Sequence, residues 1–355
     1  MVNLKKDLFL VTGAAGFVGG HLLDYLLKHG VRIRAMARSE SQVSELKERG
    51  IEVVRADLRD KPSLDRAVSG VSGIFHIASL FRKAGLPDSE FFNSNADGTR
   101  RLLETAVSAG VSRFVHCSTI GVHGHIENPP ANENAPFSPG DIYQESKLAG
   151  ERIAREFFKS GSISGVVIRP AMVWGPGDLR TLKLFSMIAR ERFFYIGRGA
   201  GLVHFIDVRD LARAFAAAMQ AVDLNDRSYI IAGRESLTLR ELSERVAEQL
   251  GVRPPWLCLP VKPMQLLGTF CEKLCAPLGI EPPIFRRRVD FFTKDRCFDC
   301  ANARLDLGFE PAQELEGEIA DIIRWYRQDG CLPPSGASQP REISTISPVK
   351  RAVGS

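Results

Sequence analysis

The chain has 355 residues, 44% of them hydrophobic and 25% charged, which suits one large globular unit or two closely joined ones and excludes a disordered protein. The net charge of +5 is small and no long Lys/Arg block appears, so nucleic acid is not an expected partner. Seven cysteines, an odd number without a compact disulfide pattern, fit a reducing environment and predict a cytoplasmic protein.

The first predicted element is a short apolar strand that leads directly into a glycine-rich turn and a helix. Leu8 to Val11 form the strand, and apolar residues then recur at helical spacing until Gly30. Glycines in such a turn let backbone N–H groups approach phosphate oxygens, and the positive N-terminal end of the helix faces the same anion. The sequence therefore predicts a dinucleotide pyrophosphate site. Its predicted residues are Gly13, Gly16, Phe17, Val18 and Gly19.

Further strands alternate with amphipathic helical stretches up to about residue 170. They are predicted at Val31–Ala37, Ile51–Ala56, Gly73–Ala78, Arg113–Ser118 and Gly165–Arg169. The alternation predicts an α/β fold with a doubly wound parallel sheet of the Rossmann type, in which right-handed crossovers bring the strand ends to one edge. We expect one crevice at that edge to collect Gly13, Arg38, Asp57, Ala78 and Thr119.

After residue 170 the connections lengthen and become rich in Gly and Pro. Helical stretches are predicted near Val208–Val222, Thr238–Leu250, Pro263–Leu278 and Glu314–Gln328. We therefore expect a dinucleotide-binding domain over residues 1–170, a smaller mixed α/β lobe for the substrate over 171–332, and a disordered tail over 333–355. No metal site is predicted, because Cys297 and Cys300 lack the turn glycine of a metal-binding pair and are interpreted as packing residues.

Tyr143 and Lys147 are the candidate catalytic pair. They open a predicted helix, and a spacing of four places the phenol and the ammonium on one face. A nearby cation stabilises a phenolate and lowers a tyrosine pKa from about 10, so the tyrosine can exchange a proton with a substrate hydroxyl. An exposed helical pair is the alternative interpretation. Upstream, Ser118 and Thr119 end a predicted strand at the same edge and offer a hydroxyl to hold a substrate oxygen.

These motifs in this order resemble the extended short-chain dehydrogenase/reductase family, which includes NAD-dependent epimerases and dehydratases, over about residues 7 to 330. The resemblance implies that Tyr143 is the general acid/base and that Lys147 binds the nicotinamide ribose and lowers the tyrosine pKa. It also implies that Thr119 orients the substrate oxygen, with Ser118 as the fallback. Asp57 and Leu58 match positions beside the adenine. The remaining matches to cofactor positions are Ala78, Pro170 and Val173.

Arg38 ends the second predicted strand where an NAD-preferring relative usually has an acid that accepts the ribose hydroxyls. A guanidinium pairs bidentately with a 2′-phosphate, and Ser39 offers a further donor, so the sequence predicts NADP as the cofactor. The alternative is an NAD enzyme in which Arg38 stacks on the adenine. Homodimers are common in the family, which leaves a homodimer open for this chain.

The substrate class is predicted from residues that differ between family branches. Thr119 is followed by Ile120 and Gly121 rather than the acid pair of sugar-nucleotide dehydratases. Val203 stands where many sugar-nucleotide epimerases carry a diphosphate-gripping arginine. Together with a resemblance to the 3β-hydroxysteroid dehydrogenase-like branch, this predicts a secondary alcohol and its ketone on a largely apolar small molecule. The alternatives are an NAD-dependent sugar-nucleotide epimerase and a non-catalytic NADP(H)-sensing module.

The stretch from Trp256 to Phe285 is apolar and is followed by Arg286, Arg287 and Arg288. One hypothesis is a helix on a membrane surface that admits lipidic substrates, which would make the protein membrane-associated. An ordinary core-facing helix followed by solvated charges is the favoured alternative.

Overall fold

The computed structural model describes residues 3–82, 85–221, 223–266, 271 and 286–334. The tail expected at 333–355 lies outside the described residues from position 335 onward. Most of the helix expected at Pro263–Leu278 also lies outside them, as do the side chains of residues 286–288. The described part contains a large parallel sheet and a smaller mixed region.

The main sheet has seven strands in the order β10-β6-β5-β4-β1-β2-β3, and every neighbouring pair is parallel. The strands are β1 (Leu8–Thr12), β2 (Arg32–Ala37), β3 (Glu52–Arg55), β4 (Gly73–His76), β5 (Arg113–Cys117), β6 (Ser164–Pro170) and β10 (Arg227–Ile231). Their apolar runs are continuous rather than alternating because helices cover both faces of the sheet; Phe9, Leu10 and Val11 are all fully buried. The predicted Rossmann-type α/β fold is confirmed.

Helices form a layer on each side of this sheet. The helices are α1 (Phe17–Lys28), α2 (Glu40–Glu48), α3 (Lys61–Val68), α4 (Asp88–Phe92), α5 (Gly98–Ser108), α6 (Ile142–Lys159) and α8 (Val208–Gln220). Leu22 of α1 and Phe215 of α8 belong to one buried cluster. Leu102 of α5 and Phe158 of α6 belong to another. The sheet therefore lies between two apolar cores, and the carboxyl ends of its strands are left to form a cleft.

The smaller region packs around its own aromatic core. A three-stranded sheet joins β7 (Met172–Trp174), β9 (Leu202–Asp207) and β11 (Ser236–Thr238), and a two-stranded sheet joins β8 (Tyr195–Ile196) and β12 (Cys258–Leu259). The helices here are α7 (Leu182–Ala189), α9 (Leu239–Leu250), Arg286–Thr293, Ala301–Leu307 and Leu315–Gln328. Trp174, Phe185 and Tyr326 are buried in this core, and the Phe185 ring lies against the rings of both Trp174 and Tyr326.

Two elements cross the boundary predicted at residue 170. Strand β10 pairs with β6 as the edge strand of the main sheet, and α8 packs against α1 on one face of that sheet. The chain returns to the main sheet because the outer edge of β6 would otherwise lack a hydrogen-bonded neighbour. The apolar face of the sheet beside it is covered by α8. No helix among the described residues is long and apolar enough to cross a bilayer. In the same part of the chain, no cluster of three or more His, Cys, Asp or Glu is placed to hold a metal ion.

Candidate active site

The turn between β1 and α1 requires glycine at two positions. Gly13 has a φ of +70°, and a Cβ there would lie 2.7 Å from the backbone nitrogen of Ala78. A Cβ at Gly19 would overlap the carbonyl oxygen of Gly13. Gly16 is the N-cap of α1, which has no side-chain cap and no acidic residue in its first turn. The N–H groups at this helix end are therefore left for an anionic ligand.

A buried hydrogen-bond chain fixes the floor of the cleft behind this turn. The Thr12 hydroxyl oxygen accepts from the backbone N–H of Ala78 at 3.1 Å and lies 2.9 Å from His76 Nδ1. His76 Nε2 lies 3.0 Å from Thr99 Oγ1, which donates to the carbonyl of Asn95 at 2.8 Å. Because the threonine proton is used, the imidazole must donate from Nε2. Burial lowers the pKa of His76 to about 3, so the ring stays neutral.

The same cleft carries Arg38, which is expected at the adenine ribose, and Asp57, which is expected beside the adenine. Asp57 is held by Arg59, whose Nε lies 3.0 Å from Oδ1 and whose Nη2 lies 2.8 Å from Oδ2. This pairing lowers the pKa of Asp57, and the charge of Arg38 adds to the effect. Ser39, expected to be a further donor, instead caps α2 by accepting from the backbone N–H of Gln42. Arg38 lines the cleft beside Asp57.

The first turns of α6 carry the candidate catalytic pair. Asp141 caps the helix by accepting from the Gln144 backbone N–H at 2.9 Å. Tyr143 is 9% exposed and Lys147 is 3% exposed, so the alternative of an exposed helical pair is wrong. The Lys147 ammonium donates to the Cys117 carbonyl at the end of β5 at 2.6 Å. The helix therefore presents the phenol to the cleft and the ammonium to the end of β5.

The two candidate hydroxyls have different partners. Thr119 lines the cleft, and its Oγ1 accepts from the Gly121 N–H at 3.1 Å. Its hydroxyl proton remains available to a ligand. The Ser118 hydroxyl donates to Oε2 of buried Glu151 at 2.6 Å, and Glu151 pairs with buried Arg169. Because Ser118 is committed to this pair, the geometry favours Thr119, as the sequence predicts.

Glu151 is a residue that sequence reasoning missed. It stands four residues after Lys147 and eight after Tyr143, so a helical face shared with both was a visible signal. It is 1% exposed and joins α6 to β6 through Arg169, whose Nε lies 3.2 Å from each carboxylate oxygen. The buried ion pair joins α6 to the sheet and so helps to hold the turns of α6 that carry Tyr143 and Lys147.

All but one of the predicted site residues line a single cleft of about 1560 Å³. They are Gly13, Gly16, Phe17, Val18, Gly19, Arg38, Asp57, Leu58, Ala78, Thr119, Tyr143, Pro170 and Val173. Lys147 lies behind the cleft wall, bonded to the carbonyl of Cys117, which is itself a lining residue. The structure therefore brings together strand ends that are far apart in the sequence.

Comparison with known proteins assigns the chain to a family. Residues 9–232 match the model of the NAD dependent epimerase/dehydratase family. The chain belongs to this family. The resemblance to extended short-chain dehydrogenase/reductases is thereby confirmed, and the protein is an NAD(P)-dependent oxidoreductase of the epimerase/dehydratase family.

Three proteins illustrate the range of this family. Sterol demethylase protein B of Methylococcus capsulatus is 29% identical over 340 residues, which cover 91% of this chain and 99% of that protein. A 3 beta-hydroxysteroid dehydrogenase/Delta 5→4-isomerase of Mycobacterium tuberculosis is 29% identical over 336 residues, covering 89% of this chain and 90% of that protein. The solved structure of MoeE5 in complex with UDP-glucose and NAD has a TM-score of 0.70 at 27% identity, covering 90% of this chain and 99% of that one. The similarity extends along most of the chain in each case.

The cleft of this family member fits a nicotinamide dinucleotide. The uncapped N-terminus of α1 and the close approach of Gly13 to Ala78 leave room and N–H donors for a pyrophosphate. Arg38 and Asp57 line the part of the cleft where the adenosine half is expected, and Lys147 is buried one helical turn after Tyr143, which also lines the cleft. Burial lowers the pKa of Lys147 and raises the pKa of Tyr143, while cationic Arg82 and Arg180 oppose the rise at Tyr143.

The substrate end of the cleft was not predicted residue by residue. Its apolar lining comprises Met172, Leu184, Met187, Phe193, Phe194, Phe205, Met264, Phe291 and Phe292. Lys183, Lys294 and Arg296 lie among these side chains. Val203 is 1% exposed and packs in the aromatic core, whereas Phe205, two residues further along β9, lines the cleft. No sequence motif marks this lining, because its residues come from segments that only the fold brings together.

Proposed function

We propose that the protein is an NADP-preferring oxidoreductase that interconverts a secondary alcohol and a ketone on a largely apolar, sterol- or hydroxysteroid-like substrate. The observation that carries the proposal is the position of Tyr143, which stands in the cleft between the glycine turn and a wall of aromatic and aliphatic side chains. A phenol at that junction can exchange a proton with the oxygen of a bound apolar alcohol.

Different residues of the chain would bind the cofactor, exchange the proton and orient the substrate. The Gly13–Gly19 turn would hold the pyrophosphate, and Lys147 the nicotinamide ribose. The bound cofactor supplies or accepts the hydride at the substrate carbon. Tyr143 Oη takes the proton from the alcohol oxygen during oxidation and returns it during reduction. Thr119 donates a hydrogen bond to the same oxygen and orients it, since its hydroxyl proton has no partner inside the turn it caps.

Arg38 supports the preference for NADP. Its guanidinium lines the cleft beside Asp57, and Arg59 already pairs with that carboxylate. A guanidinium at the cleft wall, in place of the acid that accepts ribose hydroxyls in NAD-preferring relatives, can pair with a 2′-phosphate. The N-terminus of α2, which Ser39 caps, adds a favourable dipole for an anion at this end.

The apolar lining supports the proposed substrate class. Phe193, Phe205 and Phe292 come from different segments and line the same cleft, and the ring centroids of Phe193 and Phe292 lie 6.0 Å apart. Burying an apolar ligand surface of this kind contributes about 25 cal/mol for each Å² removed from water. The relatives named for sterol and hydroxysteroid chemistry are 29% identical to this chain, which is consistent with the proposal.

A sugar-nucleotide epimerase is the second candidate, and one observation favours it. Lys183, Lys294 and Arg296 give the substrate end positive charges that suit a diphosphate. MoeE5, solved with UDP-glucose and NAD, shares the fold along most of the chain. Against this candidate, Val203 lies in the buried core at the position of the epimerase arginine and brings no charge to the cleft.

Two measurements test these candidates. The purified protein is denatured and its released nucleotide identified by mass spectrometry, since an epimerase retains NAD whereas a reductase has an exchangeable site. Steroid, sterol, flavonoid and sugar-nucleotide alcohols are then oxidised with NADP and with NAD while absorbance of the reduced nicotinamide is followed. We expect turnover of an apolar alcohol with NADP. Retained NAD with epimerisation of a sugar nucleotide supports the second candidate, and cofactor binding without any turnover supports the sensing module.

A contact with an anionic membrane surface is also proposed, for the exposed apolar side chains beside the substrate end. Trp256 is 81% exposed and Leu266 is 73% exposed. In the sequence, exposed Arg253 precedes Trp256 and exposed Lys262 lies between Trp256 and Leu266, and no acid lies between Arg253 and Leu266. Apolar side chains combined with cations favour the headgroup region of anionic bilayers. We expect flotation with vesicles containing phosphatidylserine and loss of flotation in the Trp256→Ser/Leu266→Ser double variant. A protein that never floats excludes the proposal.

A further inference from the structure

Aromatic rings and guanidinium groups alternate across the mouth of the cleft. The Arg180 guanidinium lies 5.1 Å from the ring centroid of Phe17 and 5.9 Å from that of Phe81. The Arg82 guanidinium lies 5.4 Å from the Phe81 ring and 5.1 Å from the Tyr143 ring. Phe81 meets Tyr143 edge to face with centroids 4.9 Å apart. The stack runs from the glycine turn to the phenol and ends with Arg82 against the ring.

Arg82 is fixed in this position by the N-terminus of the catalytic helix. Its Nε lies 2.9 Å and its Nη2 2.7 Å from the carboxylate of Asp141, the residue that caps α6 two positions before Tyr143. Both side chains of the ion pair are mostly buried, with 27% and 18% of their surface exposed. The guanidinium therefore cannot leave the ring without giving up the carboxylate. Lys147, by contrast, directs its ammonium to a backbone carbonyl of β5.

We propose that Arg82, held by Asp141, is a positioning residue that stabilises the phenolate form of Tyr143 from the mouth of the cleft. This inference rests on the proposed function, because it concerns the proton that Tyr143 exchanges. A cation over an aromatic ring is attracted more strongly when the ring carries a phenolate than when it carries a phenol. Arg82 thus shares with Lys147 the task that the sequence assigns to Lys147 alone.

Other charged and titratable groups face Tyr143 from every packed element. Arg180 approaches from the loop before α7 and acts in the same direction as Arg82. Asp141 on α6 and the Cys117 thiol on β5 oppose ionisation of the phenol when they carry negative charge. Lys147 lies one turn further along α6. The effect of Arg82 on the ionisation of Tyr143 can be separated from the effects of these groups. Its partner Asp141 has the opposite effect on the same phenol, so variants of the two residues should shift the pKa in opposite directions.

The test uses two variants with opposite expected signs. In alcohol oxidation, kcat/KM rises with pH as the general base ionises. Arg82→Gln removes the cation and exposes the phenol to Asp141, so the kinetic pKa should rise by about one unit or more. Asp141→Asn keeps an N-cap of equal quality and an amide oxygen that still accepts from the Arg82 guanidinium, but it removes the negative charge, so the kinetic pKa should fall. Arg82→Lys should restore part of the shift, and Arg66→Gln, on the exposed face of α3, should leave the profile unchanged.

The outcomes distinguish this inference from the function on which it rests. Wild-type turnover of an alcohol together with opposite shifts in the two variants supports both. Wild-type turnover with unchanged kinetic pKa values in Arg82→Gln and Asp141→Asn overturns the role of Arg82 and leaves the function intact. A rise in KM for an acidic substrate without a shift in the profile also overturns it, since Arg82 would then contact the substrate. Absence of turnover with every alcohol, while NADP(H) still binds, overturns the proposed function.

Discussion

The two halves of the cleft are built in different ways. The cofactor half consists of short segments at the ends of neighbouring parallel strands, such as Gly13 after β1, Ala78 after β4 and Thr119 after β5. The substrate half is assembled from distant segments whose side chains meet only after the smaller region has packed, such as Phe193, Phe205 and Phe292. The residues of a site formed by backbone conformation can be predicted from the sequence. The residues of a site formed by converging side chains cannot.

The difference also concerns what each half tolerates. In the cofactor half a single extra methyl group meets backbone atoms, which cannot move without disturbing the sheet. In the substrate half the lining consists of large apolar side chains, which can repack when one of them is replaced by another apolar residue of similar volume. We therefore expect substitutions in the cofactor half and at the catalytic turn to have larger effects than substitutions that adjust charge elsewhere.

The largest effect is expected at the junction of the two halves. Tyr143→Phe removes the proton-exchanging hydroxyl but keeps the ring between Arg82 and Phe81, so kcat should fall by about 10²- to 10⁴-fold. Cofactor affinity should stay close to that of the wild type, as measured by fluorescence titration of the reduced nucleotide. The control is Tyr25→Phe on α1, outside the cleft. Full activity in Tyr143→Phe contradicts the assigned acid/base role.

The glycine turn provides the sharpest comparison within the cofactor half. Gly19→Ala places a Cβ against the carbonyl oxygen of Gly13, so the free energy of unfolding should fall by about 1–3 kcal/mol and the affinity for the nucleotide about 100-fold. Its neighbour Gly20 is the matched control, because a Cβ there has its nearest heavy atom at 3.9 Å. Gly20→Ala should bind nucleotide normally and gain up to about 1 kcal/mol from helix propensity. Urea unfolding and nucleotide titration measure both.

The preference for NADP over NAD tests the part of the cofactor half that contains Arg38. Arg38→Ala removes a charge-assisted contact to a 2′-phosphate, worth about 1.5–3 kcal/mol, so the ratio of kcat/KM for NADP to that for NAD should fall about 10- to 100-fold. Arg49→Ala, an exposed arginine of the same region outside the cleft, should leave the ratio unchanged. Wild-type turnover that is equal or better with NAD, together with an unchanged ratio in Arg38→Ala, overturns the preference for NADP.

The smallest effect is expected behind the substrate half. Glu318 is buried, accepts a hydrogen bond from Trp174 Nε1 at 2.6 Å and lies near Asp207. Burial raises its pKa to about 7 in the folded protein, from 4.5. A carboxyl with a raised folded-state pKa favours folding while it is protonated, so this contribution is lost as pH rises from about 4.5 through about 7.

Glu318→Gln removes this titration and keeps an acceptor for Trp174. Above pH 7 the variant should be more stable than the wild type by up to about 2 kcal/mol, and the difference should shrink toward pH 4.5. Urea unfolding of both proteins across this pH range gives the difference, in which the contributions of the buried histidines cancel. A difference that does not change with pH contradicts the raised pKa.

Much of the architecture was predictable because local rules decide it. Apolar runs between glycines and amphipathic stretches gave strands that agree with the structure to within about two residues, as at β2 and β5. The return of β10 to the main sheet was not predictable, since a short apolar run carries no information about which edge it will pair with. Arg82 was missed for a related reason, because its position beside the Tyr143 ring depends on packing rather than on a motif. For Glu151 the helical spacing was visible, but its partners Ser118 and Arg169 come from other segments.

The sequence by itself determined the glycine turn, the positions of the strands before residue 170 along the chain and the spacing of Tyr143 and Lys147, because backbone conformation and helical periodicity are set by neighbours in the chain. Only the tertiary structure decided which hydroxyl is free, Thr119 rather than Ser118, and which cation lies against the phenol. These depend on side chains from separate segments reaching one point, and that convergence exists only when the sheet, α6 and the smaller region are packed together.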